Sequence, residues 1–136
     1  MKFFFTLAIL FLLPGCHQEK RTYLEHELLK LAVAVEPKIE IILPKDLESG
    51  VKCEDYGGKE AGCVNGKRAK LRKVVITLVQ FQTEDQAKLI AEKIDQYYKF
   101  NWLFDDVRGE PVLEYFVQQA FGAERPAAKN PLEAKP

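Results

Sequence analysis

The chain has 136 residues, with 20 basic and 20 acidic side chains and a formal net charge of zero. This balance gives no overall electrostatic attraction to nucleic acid, so nucleic-acid binding is not expected. Hydrophobic residues make up 47% of the sequence, which suits one domain with a sizeable core. The length is too short for two domains, and no internal repeat is visible.

The chain opens with a basic residue, Lys2, and a largely apolar run over residues 3–13. A basic residue, a short apolar run and a small residue before a break are typical of a secretory signal peptide. A membrane-spanning helix needs about 20 apolar residues, roughly twice this run, so a retained anchor is disfavoured. Ordinary cleavage that leaves Cys16 as an unmodified cysteine is the alternative.

Four residues at the end of this leader resemble the lipobox of bacterial lipoprotein precursors: Leu13, Pro14, Gly15 and Cys16. The resemblance covers the first sixteen residues, and Pro14 departs from the small residue that is commoner in the box. It implies removal of residues 1–15 and attachment of acyl chains such as palmitate to Cys16. Two or more acyl chains anchor a protein stably. In that family, a residue other than aspartate after the cysteine, here His17, implies the periplasmic face of the outer membrane.

Cys53 and Cys63 remain as an even pair once Cys16 is assigned to the anchor. In an oxidising envelope this pair predicts a disulfide that closes a glycine-rich loop. Loop-closure entropy gives such a bridge a stabilisation of about 2–3 kcal/mol. A metal site on both cysteines with His26 or Asp55 is the alternative. Structural zinc sites usually have closely spaced ligand pairs, which are absent, so no metal or cofactor is expected.

Apolar periodicity predicts a single α+β domain over residues 22–123, joined to the anchor by a lipidated cysteine and short tether over residues 16–21. The first predicted elements are a helix over 24–35, a strand over 38–43, a loop over 44–62 and a hairpin turn at Asn65-Gly66. A strand over 74–81 and a helix follow; Thr83 and Gln86 begin the helix, and its buried stripe reaches Tyr98. A strand over 100–107 and a helix between Pro111 and Gly122 complete the domain. Prolines, alanines and isolated charges over residues 124–136 predict a disordered tail.

These elements predict a small mixed sheet of three to four strands with packed helices. The strand over 74–81 is apolar on both faces, which favours a central position. Residues 74–107 form a strand–helix–strand unit, which predicts a right-handed crossover between parallel strands. With the first strand inserted between them, the arrangement is a split βαβ close to the ferredoxin-like plan. Fold alone does not fix function.

A dense run of positive charge, which we call the basic row, lies within seven residues that contain no acid: Lys67, Arg68, Lys70, Arg72 and Lys73. In an extended segment, Arg68, Lys70 and Arg72 would project from one face. With a short tether they could contact anionic headgroups or phosphates, at about 1 kcal/mol per basic group. The favoured alternative is a solvated strand whose charges prevent edge-to-edge pairing.

Two other groups of residues are candidate sites. Trp102 lies in an aromatic-dense stretch over residues 97–104, which favours a core position over contact with a partner. Acidic residues flank the turn before the last helix: Asp105, Asp106, Glu110 and Glu114. They lack the spacing of a calcium loop, and nothing in their pattern specifically supports a glycosidase pair. The sequence therefore predicts no catalytic residues.

Taken together, these features predict a membrane-anchored envelope lipoprotein with a non-catalytic binding or structural role. Its expected partners are the membrane, through the lipid anchor, and an envelope protein or the cell-wall polymer. The alternative is a hydrolase-inhibitor or ligand-binding module in which the Cys53–Cys63 loop is the inserted element.

Overall fold

The fold is mixed α+β, with three helices packed on one antiparallel sheet of five strands. The computed structural model describes residues 21–127. The helices are α1 (Glu25–Val35), α2 (Glu84–Ile94) and α3 (Pro111–Phe121). The strands are β1 (Glu40–Ile42), β2 (Cys63–Leu71), β3 (Val74–Phe81), β4 (Tyr97–Lys99) and β5 (Trp102–Asp105). The α+β class is confirmed, whereas the prediction of three to four strands is wrong.

The extra strand arises because the segment predicted as one strand over residues 100–107 takes part in a hairpin. The chain reverses at Phe100 and Asn101, and Phe100 has a φ of 51°. Residues before this turn form β4 and residues after it form β5. A left-handed phenylalanine is uncommon, so the apolar pattern gave no sign of the reversal.

The strand order is β1-β2-β3-β5-β4, and every neighbouring pair is antiparallel. The central position of β3 is confirmed. Since β3 and β4 both run antiparallel to β5, they are parallel to each other and separated by it. The strand predicted over residues 100–107 corresponds to β5, which pairs antiparallel with β3, so the predicted parallel arrangement of these two strands is wrong. The predicted insertion of the first strand between them is also wrong, because β1 lies at the edge of the sheet.

The β2–β3 hairpin turns at Arg72 and Lys73, and Arg72 has a φ of 58°. The prediction of a turn at Asn65-Gly66 is wrong, because both residues lie inside β2, next to a register shift. Gly66 has a different role there. A Cβ at this position would lie 2.7 Å from the Cβ of Val51, so the missing side chain lets the preceding loop pack on the strand.

Helices α2 and α3 begin where their local signals predict. Gln86 N donates to Thr83 Oγ1 at 3.3 Å and Thr83 N donates to Gln86 Oε1 at 3.1 Å, which confirms the capping box. Pro111 occupies the first turn of α3, and Gly122, with a φ of 65°, ends it. These signals need only a few neighbouring residues, so they are independent of tertiary packing.

Helix α2 ends earlier than its apolar stripe suggests. Asp95 adopts a left-handed conformation with a φ of 55° and ends the helix. Tyr97 and Tyr98 therefore lie in β4, and the prediction that they extend the buried stripe of α2 is wrong. Both are buried, but on a strand they point to opposite faces of the sheet, and each belongs to a different core.

The sheet separates two apolar cores. The first lies under α1 and α3, and the second lies under α2 and the disulfide loop. Strand β3 supplies both, with Ile76 and Leu78 in the first core and Val79 and Phe81 in the second. This alternation explains why the strand is apolar on both faces.

The chain joins the domain at Tyr23, beside the turn between β4 and β5. Tyr23 N donates to Asn101 Oδ1 at 2.7 Å, and Trp102 Nε1 donates to Tyr23 O at 2.9 Å. The Tyr23 ring also stacks on Phe100 with centroids 4.0 Å apart. The start of the domain is thus fixed at this end of the sheet.

At the other terminus, Glu124 and Arg125 are bonded to the domain. Glu124 and Tyr98 exchange two backbone hydrogen bonds of 2.9 Å, and Arg125 Nε lies 2.8 Å from Asp95 Oδ1. These bonds place the first residues of the predicted tail beside β4.

Several predictions concern segments outside the described residues. They are the signal peptide over residues 1–15, the lipidation of Cys16 with the tether up to residue 20, and the end of the tail over residues 128–136.

Candidate functional site

Cys53 and Cys63 form a disulfide with an S–S distance of 2.05 Å, which confirms the predicted pairing. The loop between them contains two short 3-10 helices, Cys53–Tyr56 and Lys59–Ala61. Tyr56 and Ala61 pack against the core under α2. Because both sulfurs take part in the bridge, the alternative of a metal bound by these cysteines does not apply to this structure.

The disulfide loop is compact and lies close to the rest of the domain. Gly57 has a φ of 88°, and a Cβ there would lie 2.7 Å from the Cβ of Ala61. Glycine is needed at this position both for the backbone conformation and for the close approach. A Cβ at Gly57 would also lie 3.6 Å from Ile90 Cδ1 of α2, and Tyr56 and Ala61 pack on the core, so the loop lies against the domain and does not project as an arm.

The acidic residues at the end of β5, Asp105 and Asp106, accept hydrogen bonds from neighbouring hydroxyls. Tyr56 OH donates to Asp105 Oδ2 at 2.7 Å, and Thr77 Oγ1 donates to Asp106 Oδ2 at 2.8 Å. The backbone N–H of Asp106 also donates to Asp105 Oδ1 at 2.8 Å. The two carboxylates thus join β5 to the disulfide loop and to β3, which gives each a structural role.

The other two acids of this group are associated with α3. Glu110 precedes the first residue of the helix, and Glu114 Oε1 accepts hydrogen bonds from Gly109 N at 3.1 Å and Tyr97 OH at 3.3 Å. Within residues 21–127, no three histidine, cysteine or acidic side chains come together in a group that could hold a metal ion.

Three buried or half-buried tyrosines have raised pKa values. Burial, followed by the hydrogen bond to the Asp105 carboxylate, raises the pKa of Tyr56 far above its usual value of 10. Burial also raises the pKa of Tyr97 and of Tyr98, each with a smaller contribution from a nearby glutamate. At neutral pH these phenols are protonated hydrogen-bond donors.

The basic row does not form one surface. Lys67 pairs with Glu25 of α1, on the side of the sheet that α1 and α3 cover. Arg68 and Lys70 project from the opposite side, and Arg68 Nη1 donates to a backbone carbonyl at 3.0 Å. Arg72 lies in the turn after β2 with a φ of 58°, so the extended geometry assumed for its alignment with Arg68 and Lys70 ends before it.

Trp102 is only 1% exposed and lies in the core under α1 and α3. Its indole N–H is satisfied by the Tyr23 carbonyl. The structure therefore places Trp102 in the core, and a side chain buried in this way does not contact a partner.

A groove of about 300 Å³, which we call the α1–α3 groove, lies between the end of α1 and the start of α3. Its floor includes the core residues Leu71 and Phe116, which are 2% and 3% exposed. Its walls include Val35 and Tyr115, which are 41% and 66% exposed. The groove thus presents apolar surface to solvent, with an exposed aromatic ring on one side.

Arg72 and Glu36 lie at the edge of this groove. Arg72 Nε is 3.5 Å from Glu36 Oε2, and the two side chains are 71% and 17% exposed. A second depression of about 530 Å³ shares this pair and continues to Lys38 and Lys70. No local pattern in the sequence predicts the groove, because its lining residues come from α1, the β2–β3 turn and α3.

No protein-family model matches the chain, and no curated protein and no solved structure matches it either. Among residues 21–127, no helix is long and apolar enough to cross a membrane.

Proposed function

We propose that the chain is a bacterial envelope lipoprotein, anchored through acyl chains on Cys16, whose domain binds another envelope protein or the cell-wall polymer. The observation that carries this proposal is the leader, an apolar run over residues 3–13 followed by the lipobox-like segment that ends at Cys16. The proposed location is the periplasmic face of the outer membrane, because His17 follows the cysteine.

The path of the chain supports an anchored domain close to the bilayer. Tyr23, which is fixed to the domain, follows Cys16 by only seven residues, and an extended chain of that length spans at most about 25 Å. The disulfide between Cys53 and Cys63 also suits an oxidising compartment.

A binding role is favoured over catalysis by the bonding of the acidic side chains. Asp105 and Asp106 accept hydrogen bonds from Tyr56 and Thr77 and hold the disulfide loop and β3 in place. The exposed apolar walls of the α1–α3 groove offer a surface for a partner.

The alternative proposal is a hydrolase-inhibitor or ligand-binding module that uses the Cys53–Cys63 loop. It has less support, because an inserted element needs to project. Here Tyr56 and Ala61 of the loop pack against the core under α2.

Contact between the basic row and an anionic membrane surface is also a weaker proposal. Lys67 and Arg68 point to opposite sides of the sheet. One flat surface could therefore reach only some of the five charges.

The anchor is tested by expressing the full chain and its Cys16→Ala variant in a bacterium with two membranes. Intact-mass measurement is expected to show removal of residues 1–15 and addition of acyl chains in the unmodified chain alone. Fractionation is expected to place it in the outer membrane and the variant in the soluble periplasm. An unacylated mature protein, or a variant that still fractionates with the membrane, would contradict the proposal.

A further inference from the structure

We infer that the α1–α3 groove binds a segment of a partner protein that presents an apolar side chain beside a carboxylate. The inference rests on the proposed function and names the binding surface of the anchored domain.

The carboxylate site is the outer edge of the Arg72 guanidinium. Glu36 lies against Nε and leaves both Nη groups without a hydrogen-bond or ion-pair partner among residues 21–127. An arginine held in this way presents two parallel N–H donors, which match the two oxygens of a carboxylate. The Glu36 side chain is 17% exposed and that of Arg72 is 71% exposed, so the guanidinium lies beside a mostly buried acid and faces solvent.

The backbone at Arg72 gives independent support for a role of its side chain. Its φ of 58° lies in the left-handed region, which costs a residue with a side chain about 1–2 kcal/mol relative to glycine. A residue kept in a costly conformation supports a hypothesis of function when the conformation itself is observed. Glycine would fit the turn better, and it would remove the guanidinium.

The apolar side chain would lie in the groove beside this arginine. Leu71 and Phe116 form a nearly buried floor, while Val35 and the exposed ring of Tyr115 form the walls. A volume of about 300 Å³ accommodates one or two side chains. Aromatic residues and arginine are the side chains most often responsible for affinity at protein interfaces.

Charge complementarity points to an acidic segment. The α1–α3 groove, the adjoining depression and the turn carry four cationic side chains and two acidic ones: Lys38, Lys70, Arg72 and Lys73, with Glu36 and Glu40. Lys38 and Lys73 are exposed and have no ion-pair partner among residues 21–127. The excess of positive charge would attract carboxylates that flank the apolar side chain.

The groove lies at the end of the sheet that is farther from the tether. Strand β3 starts next to the Arg72-Lys73 turn and ends at Phe81, whose N–H bonds Asn101 O beside the attachment of Tyr23. Its eight residues span about 27 Å. In an anchored protein the groove would therefore lie at the opposite end of β3 from the tether, where the tether leaves it accessible to a partner.

The test uses the full chain purified in detergent and three synthetic peptides, EELFEE, EESSEE and KKLFKK, titrated by calorimetry up to about 1 mM. We expect EELFEE to bind at least about tenfold more tightly than either of the other peptides. Arg72→Gly should weaken its binding about tenfold without lowering the urea midpoint, because glycine suits this φ. Tyr115→Ala should also weaken it, whereas Leu89→Ala, an exposed leucine on α2, should not.

Equal affinity for EELFEE and EESSEE, no binding of EELFEE, or full affinity in Arg72→Gly would each overturn the inference. If Arg72→Gly left peptide binding unchanged and abolished self-association instead, the inference would be overturned in favour of a second copy of the chain. If it left peptide binding unchanged and abolished binding to anionic vesicles, the inference would be overturned in favour of a membrane surface. Peptide binding does not require acylation. If the Cys16→Ala experiment showed no acylation of the unmodified chain, it would reject the anchor without affecting the peptide-binding result.

Discussion

The Tyr56 hydroxyl donates a hydrogen bond to Asp105 Oδ2 at 2.7 Å, and this contact joins the disulfide loop to β5. The two residues are 49 positions apart in the chain, so the bond adds a long-range contact to a loop that its bridge and its packing on the core under α2 also hold. Burial of the phenol, followed by its hydrogen bond to the Asp105 carboxyl group, raises the pKa of Tyr56 well above the usual value of 10.

This raised pKa predicts a loss of stability at alkaline pH. The folded state holds the Tyr56 proton more tightly than the unfolded chain does. The contribution of Tyr56 to the free energy of unfolding is therefore complete below about pH 10 and decreases as the pH rises above this value. At pH 8, Tyr56→Phe should lower the free energy of unfolding by about 1–2 kcal/mol, through loss of the hydrogen bond.

The difference in the free energy of unfolding between the original protein and Tyr56→Phe should become smaller when urea denaturation is repeated near pH 11. Tyr97 and Tyr98 also have raised pKa values, but they are present in both proteins and cancel in the comparison. Tyr115→Phe, at an exposed position, is the matched control. A difference that stays constant with pH would contradict the role given to the hydroxyl.

Removal of the disulfide should destabilise the domain. In Cys53→Ala/Cys63→Ala, we expect the free energy of unfolding to fall by about 2–3 kcal/mol, since the unfolded chain regains the freedom of the closed loop. A reducing agent should lower the urea midpoint of the original protein by a similar amount and leave that of the double variant unchanged. If neither the double substitution nor the reducing agent lowered the urea midpoint of the protein, packing alone would hold the loop.

The bond between Trp102 and Tyr23 should be important for stability. Trp102→Phe removes the indole N–H from the Tyr23 carbonyl and leaves space in a core position that is 1% exposed. We expect a loss of about 2–3 kcal/mol in the free energy of unfolding. Circular dichroism is the suitable measurement, because Trp102 is the single tryptophan of the chain. Tyr115→Ala should change stability by less than about 0.5 kcal/mol, and a loss as large as that of Trp102→Phe would refute this ranking.

Gly66 should not tolerate a side chain, although it lies in a strand. Gly66→Ala places a Cβ 2.7 Å from the Cβ of Val51 and should cost about 1–3 kcal/mol of stability. Adding Val51→Ala removes Val51 Cγ1, the atom that would lie nearest to the new Cβ, and should recover part of this loss, which a double-mutant cycle would detect. Gly50→Ala is the control, since its nearest neighbours would be 3.9 Å away. Additive effects of Gly66→Ala and Val51→Ala would disprove the proposed clash.

The sequence allowed accurate prediction where the signal was local. Thr83 with Gln86, and Pro111 with Gly122, define helix ends through hydrogen bonds and backbone angles of a few consecutive residues. The pairing of Cys53 with Cys63 needed only the number of cysteines and the compartment that the leader implied. These parts of the fold do not depend on distant packing.

Prediction failed where the decisive contact came from elsewhere in the chain. Asn65-Gly66 has the composition of a turn, but Gly66 is needed for the approach of Val51. The actual turn uses Arg72, whose left-handed conformation has no compositional signal. The α1–α3 groove was missed for the same reason, because Val35 and Tyr115 meet only after the two helices pack.

The attachment of Tyr23 also determines how the domain would respond to a mechanical pull on its N-terminal segment. The force would first load the bonds from Tyr23 to Asn101 and Trp102, at the β4–β5 turn, before it reached the first turn of α1. Trp102 and its neighbours in β5 are hydrogen-bonded to β3, so the load would pass into the centre of the sheet. In the proposed anchored protein, tension between the bilayer and a bound partner would then act along the long axis of β3, and the bonds at Tyr23 would protect α1 from unwinding.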